Sequence, residues 1–184
     1  HQTVAANGRL DAKLTGANPV DVLIEFPLGA SLYAPETLVT IADVHAAMER
    51  QPGSGNVWSL ETLRRWLAEK AGSADVATLK EYVSVIPEHL VRRFIDAEQD
   101  AVVVAGRVPD KDSSQLLPIV DKLDAELDAV RKKHPGYEVA VTGLAAIAAR
   151  NSASMIEKLN RGLTVEFALV AIFIGLAFRS WVVM

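Results

Sequence analysis

Three stretches of the chain alternate apolar and polar residues with the period of two that is typical of a half-buried β-strand. They cover residues 20–26, 100–108 and 137–142. A fourth, shorter strand is predicted at residues 56–59. Proline, glycine or both follow most of these stretches, as expected where strands end.

Helical spacing of apolar residues alternates with these strands. Pro35 opens one helix, whose apolar positions are Leu38, Ile41, Val44 and Met48. Asp112 or Ser113 caps a second and longer helix, with apolar positions at Leu116, Ile119, Leu123, Leu127 and Val130. Between the two, residues 60–97 contain three shorter helical patterns, interrupted at Gly72-Ser73 and at Pro87. We interpret this segment as a helical insertion.

The order of the predicted elements indicates an α+β fold. Without the insertion it is β-α-β-β-α-β, the ferredoxin-like split β-α-β motif. Two helices would then cover one face of an antiparallel sheet. We therefore expect one α+β domain over residues 20–143, preceded by a linker at residues 1–19 that contains Gly8 and Gly16.

The character of the chain changes after Gly143. Residues 144–178 contain no proline and predict one helix, in which Gly162 is tolerated at a cost of about 1 kcal/mol. Such a helix is roughly 50 Å long, whereas the hydrocarbon core of a bilayer is about 30 Å thick. The apolar part predicts a membrane span at about residues 163–184, within a long helix at residues 144–184. The alternative is a buried core helix, because the uninterrupted apolar run at residues 167–178 is short.

The amino-acid composition argues against several classes of function. The formal net charge of −4 shows no basic excess and argues against a nucleic-acid partner. The absence of cysteine removes disulfides, thiol catalysis and cysteine metal sites. No nucleotide-binding or hydrolase motif occurs, so we expect no catalytic residue, no cofactor and no enzyme activity. The histidines lack a second ligand at helical spacing, which argues against a metal site; they are His1, His45, His89 and His134.

Several side chains can be interpreted either as structural or as functional residues. For Arg64-Arg65 and Arg92-Arg93, a solvated helix face is favoured over an anion or partner site. For Trp58 and Trp66, packing in a core or domain interface is favoured over lining a hydrophobic substrate path. His45 is expected at the boundary of the apolar stripe of its helix. Four glutamates are expected at solvated helix positions: Glu36, Glu49, Glu61 and Glu69.

A series of motifs near the end of the chain resembles a known family. Val141-Thr142-Gly143 precedes an alanine-rich helix, followed by Asn151–Ile156, Leu159–Leu163 and finally Leu176-Ala177-Phe178-Arg179-Ser180. In this order they are similar to exporters of the resistance–nodulation–division (RND) superfamily, in the branch of the mycobacterial-membrane-protein-large and hopanoid exporters. Ile86-Pro87 and residues 102–112 look more like the porter domain of the second half of such an exporter than the first.

The resemblance implies a periplasmic porter domain of a proton-driven exporter in the bacterial inner membrane. Its partners would be the lipid bilayer, a lipid or other hydrophobic substrate, and periplasmic proteins. The proton-relay residues of that family lie in helices that this chain does not include, so no substrate-binding or energy-coupling residue is assigned. Both ends of the chain are interpreted as cuts in a longer polypeptide. Two alternatives stay open: a soluble ferredoxin-like regulatory or small-molecule-binding module, and a membrane-anchored scaffold without transport.

Overall fold

The computed structural model describes residues 18–52, 55–72, 74–108 and 113–181 and has an α+β architecture, as predicted. Four antiparallel strands form one sheet: β1 (Asn18–Glu25), β2 (Gly55–Trp58), β3 (Ala101–Val108) and β4 (Glu138–Thr142). Their order across the sheet is β2-β3-β1-β4. Most of the predicted linker at residues 1–19 lies outside the described residues.

Six helices accompany the sheet in the described part of the chain. They are α1 (Pro35–Glu49), α2 (Leu60–Lys70), α3 (Val76–Val85), α4 (Glu88–Val91), α5 (Ser113–Lys133) and α6 (Leu144–Trp181). The first residue of α1 is Pro35, where the missing N–H of proline is harmless. The choice between Asp112 and Ser113 as the cap of α5 lies outside the described residues.

The buried face of the sheet follows the predicted alternation. Val20, Val22 and Ile24 of β1 are buried, and their neighbours in sequence are not. β1 is central, because it pairs with both β3 and β4. Helices α1 and α5 pack together against this face, so the core lies between them and the sheet.

The apolar stripes of the two packing helices are largely as predicted. Ile41, Val44 and Met48 of α1 are buried, as are four of the five predicted positions of α5. The fifth predicted position, Ile119, packs at the edge of the core, and its neighbour Val120 is buried instead. Thr37 of α1 is also buried, because its hydroxyl donates to the carbonyl oxygen of Ser31 at 2.8 Å.

The insertion leaves and rejoins the domain along one edge of β3. It leaves after Trp58, which pairs with Ala105, and it returns at Ile95, which forms a bridge with Val102. These two points lie three residues apart on β3, or roughly 10 Å. Helices α2, α3 and α4 lie between them in sequence, and the buried apolar residues of the insertion are Leu60, Leu67, Leu79 and Ile95.

Helix α6 is continuous through Gly162, as predicted, and its 38 residues span roughly 57 Å. Its first turns pack against α5, β1 and β4, and Ala146 is buried there. From Ser154 to Leu176 every residue is exposed. Within the described chain, α6 is the one helix long and apolar enough to cross a membrane, over Ala146–Leu176.

Candidate functional site: an apolar groove beside a polar helix junction

An open groove of about 630 Å³ runs between β2 and the helices of the insertion. Its walls are the end of β2, one face of α2, the end of α3, and α4 with the segment that follows it. Of its described lining residues, only Ser59, Thr62 and Arg93 are polar; the others are Trp58, Leu60, Leu63, Trp66, Val83, Ile86, Leu90, Val91, Phe94 and Ile95. The volume lies within the range of small-molecule sites in proteins.

Trp58 at the end of β2 and Trp66 in α2 both lie on the surface of this groove. Trp58 is 55% exposed and Trp66 is 46% exposed, so neither ring is buried in the core of this domain. Packing of these rings in an interface with another domain stays a prediction. Trp66 meets Tyr82 edge to face, with ring centroids 5.8 Å apart. The sequence pattern could not place these rings, because the groove exists only where the insertion returns to β3 beside β2.

His45 lies behind the groove in a polar junction between α1 and α2. It is 2% exposed, so the prediction of a boundary position is wrong. Its Nδ1 is 2.8 Å from the Oγ of Ser59, and its Nε2 is 3.2 Å from Oε1 of Glu49. Burial lowers the pKa of His45, although Glu49 opposes the shift. The neutral ring therefore donates from Nε2 to the carboxylate and accepts the Ser59 hydroxyl at Nδ1.

Ser59, His45 and Glu49 form a hydrogen-bonded chain of the kind that can activate a nucleophile. The oxygen of Ser59 also caps α2, because it accepts the backbone N–H of Glu61 at 3.1 Å. Thr62 completes a capping box by accepting the backbone N–H of Ser59. Ser59 is only 7% exposed, and its hydroxyl is already used in these hydrogen bonds. The hydrogen bonds of Ser59, His45 and Glu49 therefore hold the start of α2 against α1.

Glu61 forms the centre of the same junction. It is 4% exposed, so the prediction of a solvated position is wrong, whereas Glu36, Glu49 and Glu69 are exposed as predicted. Burial opposes ionisation of Glu61, but hydrogen bonds from Arg64 at 2.6 Å and Arg65 at 2.9 Å outweigh it and lower its pKa.

Arg65 also binds a second carboxylate of the junction, that of Glu49 in α1. It donates to both carboxylate oxygens of Glu49, at 2.9 and 3.0 Å. Arg64 and Arg65 are partly exposed, but both are paired with acids on the protein, which the prediction of a solvated face did not anticipate. These ion pairs tie α2 to α1.

The base of α6 is fixed by a tight turn and by an ion pair. Gly143 has a φ of +102°, and an added Cβ would lie 3.2 Å from the carbonyl oxygen of Pro19 and 3.3 Å from the nitrogen of Asp21. Arg150 donates to Asp124 of α5 at 3.0 Å. The direction in which α6 leaves the domain is therefore set by backbone contact with β1 and by a charged contact with α5.

No cluster of metal-ligating side chains is found in the part of the chain that the structure describes. No group of three or more histidine, aspartate or glutamate side chains is placed there to hold an ion. His134 instead contacts Asp43 at 2.6 Å, together with Lys133 at 2.7 Å. These contacts tie the end of α5 to α1.

Comparison of the chain with protein-family models and with curated proteins finds no match.

Proposed function

We propose that the chain is a porter-type periplasmic domain, with the transmembrane helix that follows it, of an RND-like exporter of lipids or other hydrophobic molecules. The exporter would lie in the bacterial inner membrane and use the proton gradient. In this proposal α6 anchors the domain and carries helix movement to it, and the groove receives the hydrophobic cargo. The second half of the exporter is the favoured origin.

The observation that carries the proposal is the exposure of α6. Phe167 and Phe173 are 72% and 71% exposed, and they lie in the stretch Ser154–Leu176, where every residue is exposed. Apolar side chains on this scale are costly in water, at about 25 cal/mol per Å² of exposed apolar area. Lipid is the environment that removes this cost, and Glu166 and Arg161 lie near one end of the apolar part, where they can reach headgroups.

The fold class supports the same proposal. The antiparallel strand order β2-β3-β1-β4, with α1 and α5 packed on the sheet, supports the expectation of a ferredoxin-like split β-α-β motif once the insertion is set aside. Many unrelated functions use this motif. The fold therefore adds weight only together with the membrane helix and the motifs from Val141 to Ser180 that resemble RND exporters.

The groove distinguishes a cargo-handling domain from a membrane-anchored scaffold. We would test it with the full chain in nanodiscs of zwitterionic lipid, using the methyl ester of a brominated stearic acid as a neutral probe. A Trp181→Phe background confines emission to Trp58 and Trp66, both on the groove. Bromine quenches on contact, so we expect saturable quenching by the probe.

Two matched substitutions complete this experiment. Leu90→Asp introduces a charge at a groove residue that is 41% exposed, and it should weaken quenching at least tenfold. Val85→Asp introduces the same charge at a residue that is 72% exposed and does not line the groove, and it should leave quenching unchanged. Absence of saturable quenching, or equal effects of the two variants, would favour the scaffold.

A further inference from the structure

The insertion contains two pairs of adjacent arginines, and three of the four side chains are held by acids on the protein. Arg64 and Arg65 bind Glu61, and Arg92 binds Glu88 at 2.9 Å. Arg93 differs from them. It is exposed, it lines the groove, and it forms no ion pair with any residue in the described ranges.

Arg93 lies between two of the apolar groove residues. Its backbone N–H donates to the carbonyl oxygen of Leu90, and Phe94 follows it directly. Phe94 is itself fixed to β3, because its carbonyl oxygen accepts the N–H of Val103 at 2.8 Å. The groove therefore has one positive charge at its edge, attached to a backbone segment that is anchored to the sheet.

We propose that the groove binds a single-chain anionic amphiphile, a long-chain carboxylate, with its acyl chain on the tryptophans and its head on Arg93. The guanidinium group forms a planar fork of donors that matches a carboxylate, and such charge-assisted hydrogen bonds are the strong ones. The groove volume of about 630 Å³ suits one acyl chain. This inference rests on the proposed function, since it names the class of cargo for the same groove.

The experiment compares a brominated stearic acid with its methyl ester, in the Trp181→Phe chain in nanodiscs of zwitterionic lipid. Both probes carry the same chain and the same quencher, and they differ only in the charge of the head. We expect the acid to reach half-maximal quenching at a concentration about tenfold lower than the ester. A tenfold difference in affinity corresponds to the lower end of the free-energy range for a hydrogen bond to a charged group. We expect the lower end because Arg93 is exposed to water.

Three variants assign this difference to Arg93. Arg93→Ala should remove the preference for the acid and leave quenching by the ester unchanged. Arg93→Lys keeps a positive charge and should retain part of the preference. Arg92→Ala removes the neighbouring charge, which Glu88 already holds, and should retain the full preference. Equal half-maximal concentrations of acid and ester in the parent chain, or equal effects of Arg92→Ala and Arg93→Ala, would overturn the proposal.

The same titrations separate this inference from the function on which it rests. If the acid and the ester quench equally well, the groove still receives hydrophobic cargo and only the anionic class is wrong. If neither probe quenches, both the cargo role of the groove and its anionic preference fail. A brominated two-chain phospholipid serves as the third probe, and tighter binding of it than of the acid would also overturn the single-chain assignment.

Discussion

Alanine at position 143 is expected to destabilise the domain more than alanine at other described glycines with positive φ. Gly143 and Gly136 share a φ of +102°, so the same substitution meets the same unfavourable φ at both positions. They differ in what an added methyl group meets. At Gly136 the nearest atom is a side-chain carbon of Pro27 at 3.6 Å, an ordinary contact. At Gly143 it is the backbone of β1, at 3.2 and 3.3 Å, which cannot move without disturbing the sheet.

The magnitudes follow from these two contributions. A non-glycine residue in such a region of φ costs about 1–3 kcal/mol. Crowding a well-packed site typically adds about 1–3 kcal/mol. We therefore expect Gly136→Ala to lower the free energy of unfolding by about 1–3 kcal/mol and Gly143→Ala to lower it by about 2–6 kcal/mol. Gly72→Ala, at a φ of +69° with open space around it, is a second control for strain alone.

Urea unfolding of the full chain in nanodiscs measures these differences, with Trp58 and Trp66 as reporters in the Trp181→Phe background. Linear extrapolation of the transition gives the free energy of unfolding for each variant. If Gly143→Ala is no more destabilising than Gly136→Ala, then the contact with β1 does not constrain the turn into α6. The argument that this turn fixes the direction of α6 would then be wrong.

Two further predictions concern the polar junction between α1 and α2. Burial holds the pKa of His45 below its ordinary value of 6.5, so the unfolded chain binds the proton more readily and stability is lost as pH falls below 6.5. His45→Gln should show a smaller loss of stability as the pH falls below 6.5 in urea titrations, and an unchanged slope would contradict this. Glu61→Gln should lower the free energy of unfolding by about 1–3 kcal/mol, because Arg64 and Arg65 lose their charged acceptor. Glu69→Gln, at an exposed position, should change it by less than about 0.5 kcal/mol, and equal effects would refute the role of burial.

The periodicity of apolar residues predicted the strands that bury one face against the core. The alternation in β1, β3 and β4 matched the buried side of the sheet because side chains of a strand point to opposite faces. The continuity of α6 also followed from the chain, since no proline interrupts it and Gly162 costs little. These properties depend on local geometry, so a sequence alone carries them.

The site depended on contacts that local patterns do not encode. Thr37 and His45 are polar and yet buried, because each finds a hydrogen-bond partner outside its own helix. Glu61 is buried as well, but its partners Arg64 and Arg65 lie at i+3 and i+4 of the same helix. Ser59 is the partner of His45 and lies 14 residues away on another element. The groove likewise joins β2 to the segment near Phe94, more than thirty residues later in the chain. The Ser59-Leu60-Glu61-Thr62 capping pattern, together with the spacing of Glu61 from Arg64 and Arg65, could have indicated where this junction lies.

The most direct test of the account is the topology of α6 in a bacterial cell. The full chain would be preceded by a cleavable export signal and followed by a fluorescent reporter that matures only in the cytoplasm. We expect protease added to spheroplasts to digest the domain while the reporter stays fluorescent in an alkali-resistant membrane fraction.

Paired variants make this measurement specific to the apolar part of α6. Leu169→Asp with Phe173→Asp should abolish insertion, since two mid-membrane acids cost about 5–7 kcal/mol together. Met155→Asp with Ile156→Asp, in the part of α6 between domain and lipid, should not. An unmodified chain that is recovered whole in the soluble periplasmic fraction would contradict the claim that α6 carries the domain into a membrane.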